Sequence, residues 1–160
     1  MTDRMKNKVA LITGGGGGIG GEVARTFARE GASILVADIS QERADAVVAD
    51  IISKGGKAAA FVLDVNNPEK CAEAVKVAEK HFGPVTTLLN AAVAVTPDAN
   101  VENLSLEDWE RTLRTNLTGY FLMCKYVIPS MRASGQGGAI INIASSHGHY
   151  ALHGRIGYCT

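Results

Sequence analysis

The sequence predicts an α/β fold built on a doubly wound parallel sheet, and three observations support this prediction. Short apolar runs alternate along the chain with longer amphipathic segments, which is typical of repeated strand–helix–strand units. The short runs are continuously apolar, so we expect strands that are buried on both faces, as in parallel sheets. A run of glycines follows the first apolar run, where the first helix is expected to begin.

Five apolar runs are predicted as strands, at residues 9–13, 32–38, 59–64, 86–90 and 139–143. Four segments between them are predicted as helices, at residues 19–30, 41–54, 68–82 and 106–131. Asn67 is a suitable N-cap for the third helix, Pro68 fits its first turn and Gly83 follows its end. Ser105, with Asp108 three residues later, resembles a capping box for the fourth helix.

Composition limits the classes of function. The chain has 160 residues, 46% of them hydrophobic and 20% charged, which is ordinary for one globular domain with its own core. The formal net charge is zero and no run of like charge occurs, so we expect neither nucleic acid nor a membrane as partner. The first apolar run is too short for a signal peptide or a membrane span. Three cysteines without a CxxC pair favour a reducing, cytoplasmic setting.

The glycine run, TGGGGGIG at residues 13–20, lies between the first strand and the first helix. Glycines there permit a tight turn and a close approach of the backbone to a pyrophosphate, and the helix N-terminus adds unpaired N–H groups. This predicts a Rossmann-type dinucleotide site, although a flexible loop is the alternative and a second glycine register starting at Gly15 also fits. The residues expected around the pyrophosphate are Gly14, Gly16, Gly17, Gly18, Ile19 and Gly20.

Polar residues end the next three predicted strands. Asp38 ends the second strand, where a carboxylate accepts hydrogen bonds from the adenosine ribose and repels a 2′-phosphate. Because no Arg or Lys stands at positions 39 and 40, we expect NAD(H) as the cofactor. Asp64 and Val65 end the third strand, near the expected adenine, and Asn90 ends the fourth. The alternatives are that Asp38 caps the following helix and that Asp64 forms a turn.

These features, together with Asn116 in NLTGYF, Ser145 in INIASS and Tyr158, resemble the short-chain dehydrogenase/reductase family over the whole chain. The resemblance implies an NAD(H)-dependent oxidoreductase that moves hydride between nicotinamide and a secondary alcohol or its ketone. It implies that Tyr158 is the proton donor or acceptor, that Ser145 binds the substrate oxygen and that Asn116 holds a water in a proton relay. It also implies a homo-oligomer, either a dimer or a tetramer.

Two departures from the family pattern concern the site and the end of the chain. Residues 90–93 are Asn-Ala-Ala-Val where the family has NNAG, which puts the bulk of Val93 near the expected ribose. The family's lysine, four residues after its tyrosine, would lie beyond Thr160. We therefore expect a single dinucleotide-binding domain, residues 1–160, that is incomplete at its C-terminus. We expect this domain to end just after the tyrosine, before the C-terminal helices and strands of the family. We also expect it to be inactive and poorly soluble by itself.

Other interpretations stay open at this point. Ser145 as a turn former and Asn116 as a buried residue bonded to backbone are the structural alternatives for two site residues. Within the enzyme class the alternative is a 3-oxoacyl thioester (acyl-carrier-protein) reductase, and outside it a non-catalytic nucleotide-binding fragment or scaffold subunit. Three histidines before Tyr158 have no Cys or acidic neighbour in the same segment, so no metal site is predicted.

Overall fold

A computed structural model describes residues 3–160 and contains five strands and six α-helices. The strands are β1 (Val9–Thr13), β2 (Ser33–Asp38), β3 (Lys57–Val62), β4 (Thr87–Asn90) and β5 (Ala139–Asn142). The helices are α1 (Gly18–Arg29), α2 (Gln41–Ser53), α3 (Pro68–Phe82), α4 (Leu106–Leu113), α5 (Gly119–Ala133) and α6 (Ile156–Cys159).

All five strands are parallel, and their order across the sheet is β3-β2-β1-β4-β5. The chain therefore winds outward from β1 in one direction to β3, and then returns through α3 to place β4 on the other side of β1. The strand order reverses between β1 and β4, which is where ligands bind in open α/β sheets. The predicted fold class, a doubly wound parallel α/β sheet, is confirmed.

The core lies on both faces of the sheet because neighbouring residues of a strand point to opposite sides. Leu11 and Leu35 belong to a cluster that includes residues of α3 and α5, whereas Ile12 and Ile34 belong to a cluster with residues of α1 and α2. Every residue of β1 and β4 is buried. The continuous apolar runs of the inner strands are therefore explained by packing on both faces.

The expectation of burial on both faces is wrong for the two outer strands. β3 is only partly buried and every residue of β5 is exposed, including Ile140 and Ile141, because each strand has a sheet neighbour on one side within the described residues. β3 also begins two residues earlier than predicted and ends at Val62, so Asp64 and Val65 lie beyond the strand.

The predicted helix at 106–131 is interrupted. α4 ends at Leu113 and continues into a π-helical turn, Arg114–Thr118, before α5 begins at Gly119. In this turn the N–H of Gly119 donates to the carbonyl of Arg114, five residues back. Such widened turns are rare in proteins, and a large share of them lie at functional sites.

The predicted helix caps are confirmed. Asn67 accepts from the N–H of Lys70, Pro68 starts α3, and Gly83 follows its end with φ of 92°. The Ser105 hydroxyl oxygen accepts from the N–H of Asp108 at 3.0 Å. No helix within residues 3–160 has the length and apolar character needed to cross a bilayer.

Candidate active site

An open cleft of about 330 Å³ lies at the carboxyl ends of the strands, where the strand order reverses. Its floor and sides are formed by the glycine loop, the end of β2, the segment after β3, the segment after β4, and α4 with the π turn. Residues lining the cleft include Gly14, Gly17, Asp38, Asp64, Val65, Ala92, Arg43, Arg111 and Thr115. Five of the ten residues predicted to bind cofactor are therefore brought to one cleft.

Close packing fixes the conformation of the glycine loop. Gly14 has φ of 62°, and a Cβ built on it would stand 2.7 Å from the carbonyl oxygen of Ala91, so a side chain is excluded there on two grounds. A Cβ on Gly16 would stand 2.6 Å from the Cβ of Arg43, because α2 approaches the loop closely. The Thr13 hydroxyl oxygen also accepts from the N–H groups of Ala91 and Ala92, at 3.1 and 3.3 Å. The loop is thus held between α2 and the segment after β4.

The start of α1 has the properties of an anion site. Gly17 is its N-cap and, within residues 3–160, no side chain caps this end of the helix. A Cβ on Gly18 would meet no protein atom within 4 Å, and Ile19 is 62% exposed, so the space beside the first turn is open. Helix N-termini with available N–H groups favour phosphate groups. The backbone here therefore fits the pyrophosphate of a dinucleotide.

Asp38 is almost completely buried, 4% exposed, and it accepts three hydrogen bonds. Its Oδ2 accepts from the N–H of Gly16 at 3.0 Å, and its Oδ1 accepts from the N–H of Ser40 at 3.0 Å. The guanidinium of Arg43 donates to the same Oδ1 at 2.9 Å. The alternative that Asp38 caps α2 is wrong, since the Ser40 hydroxyl oxygen accepts from the N–H of Arg43 and caps that helix.

The structure also supplies a cation that the sequence analysis did not expect beside Asp38. Positions 39 and 40 hold no Arg or Lys, as the sequence shows. Arg43 nevertheless reaches the Asp38 carboxylate from the first turn of α2. A signal for this contact exists in the sequence, because a Ser N-cap at position 40 places Arg43 in that first turn. Arg111, which also lines the cleft and pairs with Asp108 at 2.9 Å, was likewise not predicted.

The acid after β3 and the amide after β4 occupy different environments. Asp64 is exposed at the cleft and accepts from the N–H of Asn66 at 2.9 Å, a turn contact of the kind considered as its alternative role. Asn90 is fully buried and does not line the cleft. Its Nδ2 donates to Oδ1 of Asn142 at 2.9 Å, so it joins β4 to β5 across the sheet.

Ser145 and Tyr158 converge on one side chain, that of His147. Ser145 follows β5 as the cap of a short 3-10 turn, and its hydroxyl oxygen accepts from the N–H of His147 at 3.2 Å. The same oxygen lies 3.2 Å from Nδ1 of His147. The His147 ring is tilted by 59° relative to that of Tyr158, with 6.3 Å between ring centroids. The predicted serine and tyrosine are therefore parts of one cluster, and its third member, His147, is one of the three histidines noted before Tyr158 in the sequence.

Tyr120, on α5, belongs to the same neighbourhood. Its hydroxyl donates to the backbone carbonyl of Ile143 at 3.3 Å, which ties α5 to the segment that carries Ser145. Burial raises the pKa of the Tyr120 phenol above its ordinary value, and the nearby Tyr158 phenol raises it further. Tyr120 therefore stays protonated and structural at neutral pH, with its proton directed at a carbonyl.

Asn116 lies in the π turn and its amide is engaged at both ends. Its Oδ1 accepts from the N–H of Ala94 at 2.8 Å, and its Nδ2 donates to the carbonyl of Ala94 at 3.0 Å. This two-point contact fixes the segment after β4, which forms one wall of the cleft. The side chain is thus bonded to backbone, as its structural alternative supposed, and it braces Ala94 in the cleft wall without lining the cleft itself.

The segment that carries Tyr158 is anchored to the loop after β4 by Arg155. Its guanidinium pairs with Asp98 at 2.7 Å and donates to the carbonyl of Thr96 at 3.3 Å.

Within residues 3–160 no group of three or more His, Cys, Asp or Glu side chains is arranged to hold a metal ion.

The chain is similar in sequence to several known proteins. A sequence model described as short chain dehydrogenase matches residues 8–160. The 2,5-dichloro-2,5-cyclohexadiene-1,4-diol dehydrogenase LinX of Sphingobium indicum is 40% identical over 159 residues, which are 99% of this chain and 63% of that protein. The cyclohexanol dehydrogenase of an Acinetobacter species is 40% identical over 158 residues, 99% of this chain and 62% of that protein.

A solved structure shares the fold closely. It is a 7 alpha-hydroxysteroid dehydrogenase complexed with NADH and 7-oxo glycochenodeoxycholic acid, and it is 32% identical with a TM-score of 0.92. The match covers 98% of this chain and 60% of that chain. The chain therefore spans somewhat less than two thirds of the length of the proteins that it matches.

Proposed function

The chain belongs to the short chain dehydrogenase family, and on that premise we propose that its protein is an NAD(H)-dependent oxidoreductase of secondary alcohols and ketones. The observation that carries the proposal is the cluster of Ser145, His147 and Tyr158, which lies beyond the carboxyl end of β5. A hydroxyl and a phenol brought together there are the groups that a carbonyl reduction needs.

The cleft provides the cofactor site of this proposal. The open first turn of α1, with Gly18 and Ile19, would hold the pyrophosphate, and Gly14 and Gly17 let the backbone approach it. The Asp38 carboxylate would accept from the adenosine ribose, and Asp64 and Val65 would lie beside the adenine. The bound nicotinamide supplies or accepts the hydride. Asn90 and Gly20 would act indirectly, by holding the sheet and the loop in place.

The remaining steps belong to side chains of this chain. A ketone oxygen that gains negative charge needs a hydrogen-bond donor and then a proton. The Ser145 hydroxyl would donate to that oxygen, since its own oxygen is held by the N–H of His147. Tyr158 would deliver the proton, or remove it in the direction of alcohol oxidation. Asn116 would keep the segment after β4 in place and border the relay water.

The substrate class is inferred from the relatives. Cyclohexanol is a cyclic secondary alcohol, and both curated relatives named above are dehydrogenases of cyclic alcohols. We therefore propose a cyclic secondary alcohol or its ketone as the substrate.

The predicted cytoplasmic location remains a prediction. The predicted homo-oligomer, a dimer or a tetramer, also remains a prediction, and Leu117 and Phe121, which are more than 60% exposed one helical turn apart, would be candidates for its contact surface.

The test is a tyrosine substitution in the whole protein. Cyclohexanol and related cyclic alcohols are screened with NAD as the oxidant. The turnover of the best substrate is then compared between the unmodified protein and Tyr158→Phe. We expect turnover to fall by about a hundredfold or more, since the acid–base group is lost. We expect NADH affinity to stay within about twofold, because Tyr158 is not among the residues that line the cleft and the substitution removes no cleft contact.

A matched control is Tyr126→Phe, on α5, whose ring packs against the core. This substitution removes a tyrosine hydroxyl outside the proposed site, so turnover should be preserved. Substantial activity in Tyr158→Phe would refute the assignment of the proton donor, and His147 would then be the next candidate. Failure of the unmodified protein to oxidise any cyclic alcohol would refute the substrate class.

A further inference from the structure

Arg155 joins two parts of the molecule that the proposed function uses separately. It is the N-cap residue of α6, the helix that carries Tyr158, and its carbonyl accepts from the N–H of Tyr158 at 3.0 Å. Its guanidinium reaches the segment after β4, where Nε pairs with Oδ1 of Asp98 at 2.7 Å and Nη1 donates to the carbonyl of Thr96 at 3.3 Å. One residue therefore contacts the proposed proton donor through its backbone and the segment after β4 through its side chain.

Backbone contacts hold these two segments together beside the ion pair. Ala99 pairs with Arg155 as an isolated parallel bridge, and the N–H of Ala99 donates to the carbonyl of Gly154 at 2.8 Å. Gly154 has φ of 75°, and a Cβ built on it would stand 3.4 Å from the Cβ of Asp98. The bridge therefore places Asp98 beside Arg155, and the ion pair is part of one continuous contact between the two segments.

The residue before Tyr158 also packs closely against its surroundings. Gly157 is buried, and a Cβ built on it would stand 3.7 Å from Oγ1 of Thr96 and 3.5 Å from Oγ1 of Thr112. Thr96 and Thr112 are themselves buried. Because α6 approaches the segment after β4 so closely, a displacement of one relative to the other would move the Tyr158 phenol.

The segment after β4 borders the cofactor cleft as well. Ala94 lines the cleft, and Asn116 fixes it through two hydrogen bonds, at 2.8 and 3.0 Å. Arg155 holds the same segment two residues further along, at the carbonyl of Thr96. The separation between the cleft wall and the Tyr158 phenol therefore depends on the side chain of Arg155.

We propose that Arg155 is a positioning residue for the reaction, which sets the place of the Tyr158 phenol relative to the cleft by pairing with Asp98. This inference rests on the proposed role of Tyr158 as the proton donor or acceptor. A shift of about 1 Å in a reacting group can lower turnover by up to about a hundredfold. Neither Arg155 nor Asp98 is among the residues that line the cleft, so the effect falls on the chemical step and not on cofactor binding.

The experiment measures turnover of the whole protein on the best substrate of the screen described above. Arg155→Met keeps an aliphatic side chain and removes the donors, and we expect it to lower kcat by about tenfold, with KM and NADH affinity within about threefold. Asp98→Ala should lower kcat by a smaller factor, because the bond to Thr96 remains. Arg155→Lys, which keeps the charge opposite Asp98, should lose less turnover than Arg155→Met.

A double variant separates positioning from a general loss of structure. Arg155→Met combined with Asp98→Ala should turn over within about twofold of Arg155→Met alone, because both substitutions remove the same contact. Thermal unfolding is measured for each variant. Asp98 is 69% exposed, so loss of the ion pair should leave the midpoint almost unchanged. If Arg155→Met does not fold, Asp98→Ala provides the test, and an unchanged kcat in that variant would overturn the inference.

Arg25→Met is the matched control, because Arg25 also pairs with an aspartate, Asp50 at 2.8 Å, but does not line the cleft. Turnover should be preserved in that variant. An unchanged kcat in folded Arg155→Met, or losses that add in the double variant, would overturn the inference and leave the proposed function intact. Absence of turnover in the unmodified protein would overturn the proposed function, and the inference with it.

Discussion

Removing the Asp38 side chain should destabilise the fold as well as alter cofactor choice. The carboxylate is buried and holds three donors that belong to the glycine loop, the β2–α2 turn and α2. In Asp38→Ala the N–H groups of Gly16 and Ser40 lose their acceptor. Leaving a buried or partly buried donor unpaired costs about 1.5 kcal/mol each. Arg43 is more than half exposed, so its lost ion pair adds little.

The expected decrease in the free energy of unfolding is therefore about 3 kcal/mol for Asp38→Ala. Asp38→Asn keeps one carbonyl acceptor in the same volume, and we expect about half that loss. Equilibrium urea unfolding gives these values, with the fluorescence of Trp109 as the probe because the sequence has one tryptophan.

The control is Asp50→Ala, which removes a carboxylate that pairs with Arg25 and Lys54 on the helix surface. The decrease in the free energy of unfolding should be clearly smaller for Asp50→Ala, since Asp50 is 32% exposed, Lys54 is 69% exposed, and ion pairs that solvent reaches contribute little. A loss below about 1 kcal/mol for Asp38→Ala would refute the reasoning, because it would mean that water replaces the carboxylate at both N–H groups. A comparison of cofactor preference must therefore use Asp38→Asn, in which less of the loop's support is removed.

Two further predictions concern buried groups. Thr86→Val should lower the free energy of unfolding by about 1–3 kcal/mol, since the buried N–H of Val9 loses the Thr86 hydroxyl oxygen at 3.0 Å; thermal unfolding measures this, and Thr86→Ser should retain most of the stability. Burial, with a smaller effect of the Asp64 carboxylate, raises the pKa of Cys71 to about 11. Because only the thiolate reacts, iodoacetamide at pH 8 should modify Cys71 far more slowly than Cys124 or Cys159 until urea is added; mass spectrometry showing Cys71 modified first would contradict this.

The sequence predicts the architecture well where local pattern decides it. The apolar runs of β1 and β4 and the caps Asn67 and Ser105 depend on neighbouring residues, and all appear as expected. The alanine-rich run of β3 has the same apolar pattern, but its exposure follows from its place at the sheet edge, which the run itself does not encode.

The site was predictable in its residue types but not in its contacts. The glycine loop and Asp38 were located from the order of elements, whereas the Arg43–Asp38 pair arises only when α2 packs against the loop at Gly16. The π turn at Asn116 widens a helix whose sequence favours regular α-helix, and the contact of Asn116 with Ala94 is one between distant segments. Contacts of this kind depend on tertiary packing and were outside the reach of spacing arguments.

The tightly held glycine loop has a consequence for the kinetics of binding. Glycine runs usually lose much conformational freedom when they become ordered. Here Gly14 is held against Ala91, Gly15 donates to the carbonyl of Ala37 at 3.0 Å, and Gly16 is held by α2 and Asp38. The loop is therefore already ordered before a dinucleotide arrives, and binding requires little loss of chain entropy there. Association should proceed in one step without a slow loop-ordering phase, although the segment contains five consecutive glycines.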